Sequence, residues 1–174
     1  MKKYEFTEET KELNGTMLHR IIAIKDFGDI KIGDLGGWLE KESNLSQNNN
    51  CWVYDNAIVY QEATVFDNAT VFDNAEVYGN AKVCCNAEVY GDAEVWGNAE
   101  VCGITTLTKE VINIIGLKYN ITITDTYIRI GCKQYTYEEW KNFSNNEISK
   151  MDDGALEWWG KYKHIVLGLF GNRI

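Results

Sequence analysis

Histidine is scarce: the 174 residues hold only His19 and His164, one near each end. A three-histidine zinc centre in the middle of the chain is therefore excluded, because zinc needs clustered imidazole or thiolate ligands. The five cysteines (Cys51, Cys84, Cys85, Cys102, Cys132) form no paired CxxC units, and their odd number argues against a secreted disulfide framework. They read as reduced, small, mostly apolar fillers. Bases are equally rare in the centre: from Val53 to Cys102 nine acids face one base, Lys82, a balance of -8 within a total of -9. Such a segment has no cationic stripe to release counterions from phosphates, so nucleic acid is not an expected partner. No run reaches the roughly 18 to 20 apolar residues that span a bilayer, and the start MKKYEFTEETKEL lacks the apolar stretch of a signal peptide. The cytoplasm is the expected location, with no membrane partner. P-loop, GxGxxG and nucleophile-triad patterns are also missing.

What the chain has in abundance is repetition. Val recurs at 53, 59, 65, 71, 77, 83, 89, 95 and 101, and Ala at 57, 63, 69, 75, 81, 87, 93 and 99, with neither column broken. Each A-x-V-x unit alternates as a strand does, placing Ala and Val on one face. The two remaining residues of each hexad are mostly Asp, Asn or Gly, which tolerate the left-handed backbone region and turn the chain. A hexad is thus a short strand plus a corner. Three corners close a triangle of about 18 residues, and stacked triangles bury a shared Val/Ala interior. Leu39, Leu45 and Cys51 lie at six-residue steps before Ala57, which extends the phase upstream to GDLGGWLEKESNLS.

The units VYGNAE and their neighbours resemble the hexapeptide-repeat superfamily, with its pattern of aliphatic, x, x, x, small, x. The resemblance implies a left-handed parallel β-helix, against the usual right-handed crossover. The expected fold is mainly β: about four coils over residues 35–103, an N-terminal β-hairpin cap over 1–34, and a C-terminal α+β extension over 104–174. The flanking segments FTEETKELNGTMLHRI and YIRIGCKQYTYEEWKNFSNNEISKMDDGALEWWGKYK are similar to those of small bacteriophage and prophage hexapeptide-repeat proteins, implying a viral or prophage source.

Residues one coil apart should stack. The position after Val gives the columns Tyr54/Phe72/Tyr90, Tyr60/Tyr78/Trp96 and Phe66/Cys84/Cys102. Stacked rings stabilise a sheet by about 0.2 to 1 kcal/mol per pair. Continuous aromatic stripes also exceed what a monomer usually exposes, so the first two columns are candidate oligomer interfaces, with a homotrimer as first expectation from the fold resemblance. In the third column Cys84 and Cys102 offer at most a chance metal or disulfide site. The position after Ala is polar and reads as a solvated face, with Glu76 stacked on Glu94 and Lys82 placed to pair with Glu100.

In the N-terminal segment Asn14-Gly15 is the turn of a hairpin carrying His19 and Arg20. Beyond Gly103 the runs VINIIGL, YNITIT and YIRIGC read as an antiparallel meander. Capping boxes at Thr136 with Glu139 and Ser144 with Glu147 start two short helices. A last helix from Asp152 or Asp153 should bury Leu156, Trp159, Tyr162, Val166 and Leu169 on one face, leaving Trp158 outside, with close packing or breaks at Gly160 and Gly168.

Many proteins with the resembled fold are acyltransferases that use a coil histidine as general base, and this sequence has none there. The chain therefore reads as a non-enzymatic oligomeric binding protein without metal or cofactor. Its expected role is to sequester a host nucleotide-type defence signal in clefts between subunits. Arg129, Lys133, Gln134, Trp158 and Lys161 are the candidate contacts, since planar bases favour stacking and phosphates favour cations. A structural or protein-docking module is the alternative reading, and an acyltransferase-like enzyme the third.

Overall fold

A computed structural model describes residues 2–103, 105–109, 111–114 and 116–171. Met1, Ile104, Glu110, Ile115 (part of the VINIIGL run) and 172–174 lie outside the described residues.

The Asn14-Gly15 turn joins β1 (Tyr4–Leu13) to β2 (Thr16–Ala23), both turn residues having positive φ, 51° and 83°. That is the conformation of a two-residue hairpin loop, and Asn and Gly are the residues that adopt it most cheaply. β2 pairs antiparallel with β3 (Leu35–Leu39), so the hairpin extends one face of the solenoid and covers its first lateral edge. Tyr4 and Phe27 pack edge-on against the fully buried Trp52 in the first coil.

Ten two-residue strands follow among the described residues: β4 (Trp52–Val53), β5 (Ile58–Val59), β6 (Thr64–Val65), β7 (Thr70–Val71), β8 (Glu76–Val77), β9 (Lys82–Val83), β10 (Glu88–Val89), β11 (Glu94–Val95), β12 (Glu100–Val101) and β13 (Thr106–Leu107). They form three parallel faces, β3-β5-β8-β11, β4-β7-β10-β13 and β6-β9-β12, in which Val stacks on the Val of the next coil. The repeated Val and Ala side chains are shielded from water along the whole column. Burial at about 25 cal/mol per Å² makes this apolar prism the main stabilising term.

The corners repeat their own device. Asp55, Gln61, Asp67, Asp73, Gly79, Cys85, Gly91 and Gly97 all have left-handed φ. The Gln61 side chain accepts the Gly79 N–H at 2.9 Å, and Asp73 accepts that of Gly91 at 3.0 Å. One corner therefore ties the next, which explains why Asp and Gln remain where Gly would be less strained.

The first coil is out of step with the sequence expectation. Leu39 pairs with Val59 and Leu45 bridges Val65, so both occupy the Val columns and not the column leading to Ala57. The step from Leu45 to Val65 is longer than the later step from Val53 to Val71, and the Ser46–Asn50 corner absorbs the surplus as a wider bend. The fully buried Lys3 sits behind this corner and donates through Nζ to the carbonyls of Asn48, Asn49 and Cys51, at 3.3, 3.3 and 2.7 Å.

After the coils, β14 (Ile112–Ile114), β15 (Ile121–Ile123), β16 (Ile128–Ile130) and β17 (Lys133–Tyr135) form the antiparallel meander, with β17 a fourth strand that the sequence did not announce. Both capping boxes are present, at α1 (Tyr137–Asn142) and α2 (Asn145–Ser149). Helix α3 (Ala155–Gly171) runs unbroken through Gly160 and Gly168, and no atom lies within 4 Å of where a Cβ would stand at either. The break or close approach expected there does not occur. Its buried residues are Ala155, Trp158, Trp159, Val166 and Phe170, whereas Leu156 is exposed. The stripe is displaced because α3 wedges between the meander and α2, so two adjacent indoles are covered at once. No helix among the described residues is long and apolar enough to cross a membrane.

Candidate functional site

The third outward column ends where the last coil meets the meander, and the densest polar chemistry of the described residues lies there. Glu100 and Cys102 project from β12 and its edge, Cys84 stacks one coil below, and Arg129 reaches across from the centre of β16. Arg129 stands on the middle strand of an antiparallel meander, with its neighbours Ile128 and Ile130 turned into the apolar core, so alternation directs it outward onto the coil. Its guanidinium donates to Cys102 Sγ at 3.0 Å, to Glu100 at 2.8 Å and to the Gly131 carbonyl at 3.1 Å. Gln134 of β17 donates to the Cys102 carbonyl at 3.0 Å.

These partners split the two thiols electrically. A hydrogen bond from Cys84 and the adjacent Arg129 charge bring Cys102 down to about 7, against the pull of burial and of Glu100. Cys84 is pushed up by that same hydrogen bond and by burial, so it stays the proton donor of the pair. Burial likewise raises Tyr127, whose hydroxyl donates to the Glu100 carbonyl at 3.4 Å. A thiol held near neutrality beside a guanidinium and partly open to solvent is the environment of a reactive cysteine. The ligand atoms of Cys84, Glu100 and Cys102 lie within 4.8 Å of one another, a spacing that suits a metal ion. Arg129 already donates to two of the three, and so provides the positive charge that an ion would bring.

The Lys82–Glu100 pairing expected from the repeat is replaced: the two are in register, but Glu100 gives its carboxylate to Arg129. Glu76 and Glu94 do stack directly; partial burial and the Glu94 charge raise the Glu76 carboxyl above its usual range.

Beside the cluster a cleft of about 340 Å³ is bordered by Asn98, Glu100, Lys118, Asn120, Thr122 and Arg129. The five residues expected to contact a ligand do not converge on it. Arg129 and Gln134 meet at Cys102. Lys133 and Trp158 line a separate apolar cavity, and Lys161 shares a further groove with the other side of Trp158. The six expected interface aromatics also divide. Tyr60 is buried with Leu18 and Ile58 beneath the hairpin, and stacks on Tyr78 at 5.2 Å. Trp96 packs partly into the coil core. Tyr54, Phe72 and Tyr90 form a half-buried stack on another face, with centroids 6.1 and 5.1 Å apart. Glu100, Cys102 and Tyr127 are the cluster members that sequence reasoning did not assign a function. Their one legible signal was the pair of cysteines one coil apart in an otherwise aromatic column.

No protein-family model matches the chain. It is 43% identical over 63 residues to the "Uncharacterized acetyltransferase YdcK" of Escherichia coli (strain K12), a match covering 32% of this chain and 19% of that protein. The chain thus aligns with about a fifth of the curated relative's length. Together with the solenoid, this match supports the hexapeptide-repeat superfamily. It also corrects the expectation that the chain is not an enzyme: the relative sharing this stretch is named an acetyltransferase. The physical error lay in treating a coil histidine as the one route to a reactive group, when a seam thiol is another.

Proposed function

We propose that the protein is an acyltransferase-class β-solenoid in which Cys102 acts as a covalent nucleophile, in place of the general-base chemistry of a coil histidine. The observation that carries this reading is the Cys84–Cys102–Arg129–Glu100 cluster, with Cys102 near neutrality against Arg129, which with Glu100 borders a polar cleft. In the proposed reaction the Cys102 thiolate attacks the carbonyl carbon of a donor thioester, with Arg129 facing the developing oxyanion. Collapse breaks the donor carbon–sulfur bond; the donor leaves as a thiolate that takes a proton from water, and the acyl group remains on Cys102 as a thioester. An acceptor amine or hydroxyl then attacks that carbonyl, gives up its proton to solvent, and restores the thiolate. Short incubation with acetyl-coenzyme A should add one acetyl mass to the intact chain, mapped to Cys102 and absent from Cys102→Ser. In Arg129→Gln the thiol should return toward its ordinary value, so that alkylation by iodoacetamide at pH 7 slows roughly tenfold or more. Turnover of the acetyl thioester that survives unchanged in Cys102→Ser would remove the thiol from the mechanism.

Assembly into a trimer belongs to the same proposal, through the Tyr54/Phe72/Tyr90 stack. Of the two aromatic columns expected at an interface, this one is not covered by the chain's own hairpin. Native mass spectrometry should show three copies for the wild type and one for Phe72→Ser; a wild-type monomer at micromolar concentration ends the idea. The likeness of both flanking segments to phage and prophage proteins supports a viral or prophage source.

A further inference from the structure

The C-terminal module contains a cavity of about 230 Å³ that the seam chemistry does not use. Its walls are Ile130, Trp140, Ile148, Met151, Trp158 and Trp159, contributed by the meander, α1, α2 and α3. A well-packed interior has few voids of this size, and space of this volume among aromatic side chains is the usual form of a small-molecule site.

The polar inventory of the cavity is one-sided. Trp140 Nε1 donates to the Ile128 carbonyl at 2.7 Å, but Trp158 Nε1 and Trp159 Nε1 are shut off from solvent and have no acceptor among the described residues. Both residues are at least nine-tenths buried, at 9% and 4% exposure. Both N–H groups are sealed from the cavity as well, since a space that admits water would otherwise reach them, so the polar contacts of the cavity come from its rim. At the rim, Asp152 is engaged by Tyr119 and Lys118. Lys133 borders the cavity, and its ammonium has no hydrogen bond or ion pair among the described residues. The cavity therefore offers apolar walls and one free cation at its rim, where the Asp152 carboxylate is already engaged.

We propose that this cavity binds a small apolar carboxylate. The hydrocarbon body fills the space between the indoles, and the carboxylate pairs with Lys133 at the rim. The volume fits a chain on the order of eight carbons. An amine would meet Lys133 with like charge. The assignment does not depend on thiol chemistry at Cys102.

Octanoate, octanol and octylamine are the probes, read by intrinsic tryptophan fluorescence, since three of the six indoles line the cavity. Octanoate should bind saturably, octanol roughly tenfold more weakly and octylamine not measurably. Lys133→Met should weaken octanoate by roughly fivefold to tenfold and leave octanol unchanged. Equal binding of all three probes would make the cavity an unselective apolar void. No fluorescence response to millimolar octanoate would mean that the cavity takes no carboxylate of this size, and either result overturns the proposal. Because the Cys102 acetylation test reads a different atom, failure of one leaves the other standing.

Discussion

Replacing Gly37 by Ala should cost about 3 kcal/mol, the upper part of the range for overpacking, and lower the melting temperature by roughly 6–12 °C. A Cβ at this position would stand 2.5 Å from the Ala57 carbonyl oxygen, 2.7 Å from a Val53 methyl and 2.9 Å from the Tyr54 carbonyl oxygen. Two of these are backbone atoms fixed by the ladder: Ala57 O accepts the Trp38 N–H at 2.9 Å, and Tyr54 O accepts the Ala57 N–H at 3.0 Å. They cannot retreat without breaking a rung. The glycine is needed for close approach, since its φ is not left-handed. Gly160→Ala is the internal comparison: nothing would touch the new methyl, so the helix should gain about 0.5–1 kcal/mol. Thermal unfolding followed by circular dichroism gives both shifts; equal behaviour of the two variants would refute the steric account.

The second large effect is expected at Lys3→Met, which preserves length and apolar volume and removes the ammonium. Three carbonyls of the enlarged first corner, those of Asn48, Asn49 and Cys51, would lose their buried donor. The cost should be about 3 kcal/mol, because the buried Cys51 carbonyl would forfeit its desolvation penalty and the two part-buried asparagine carbonyls would lose a charged donor. The Cys51 thiol, 3.2 Å from Nζ, would lose its partner too. Burial pulls the Lys3 ammonium below its ordinary value, so the charge is held there at some cost and must be compensated by those contacts. Urea denaturation would measure the change, and limited proteolysis should show earlier cleavage within 46–51. A midpoint within error of wild type would mean that water replaces the lysine.

The repeat made most of the fold legible. Unbroken Val and Ala columns dictate both the three-hexad coil and its interior, and three successive corners leave no other closure. The first coil misled because Leu39 and Leu45 are aliphatic and fit either column, while the Asn48–Asn50 run carries no letter that marks a wider bend. Lys3, which makes that corner possible, comes from the far side of the hairpin, before the coils begin. In α3, periodicity assumes one covered face; packing against both the meander and α2 covers Trp158 as well as Trp159. The candidate site was the least legible. Two stacked cysteines were visible in the hexads, but Arg129, which adds to the Cys84 hydrogen bond in lowering Cys102, comes from a strand whose position on the coil no local pattern encodes.

The corner-to-corner hydrogen bonds also constrain how this chain can change length. The sequence repeats by the hexad, but a Gln61 or Asp73 side chain meets its partner a full coil further on, at Gly79 or Gly91. Duplicating or deleting one hexad between Cys84 and Cys102 would turn everything downstream by a third of a revolution and carry Cys102 and Arg129 together to a different face from Cys84. Three hexads at a time would lengthen the prism and keep the hairpin and the meander in the same angular relation. The coils act as a ruler for distance whose divisions are also settings of a dial.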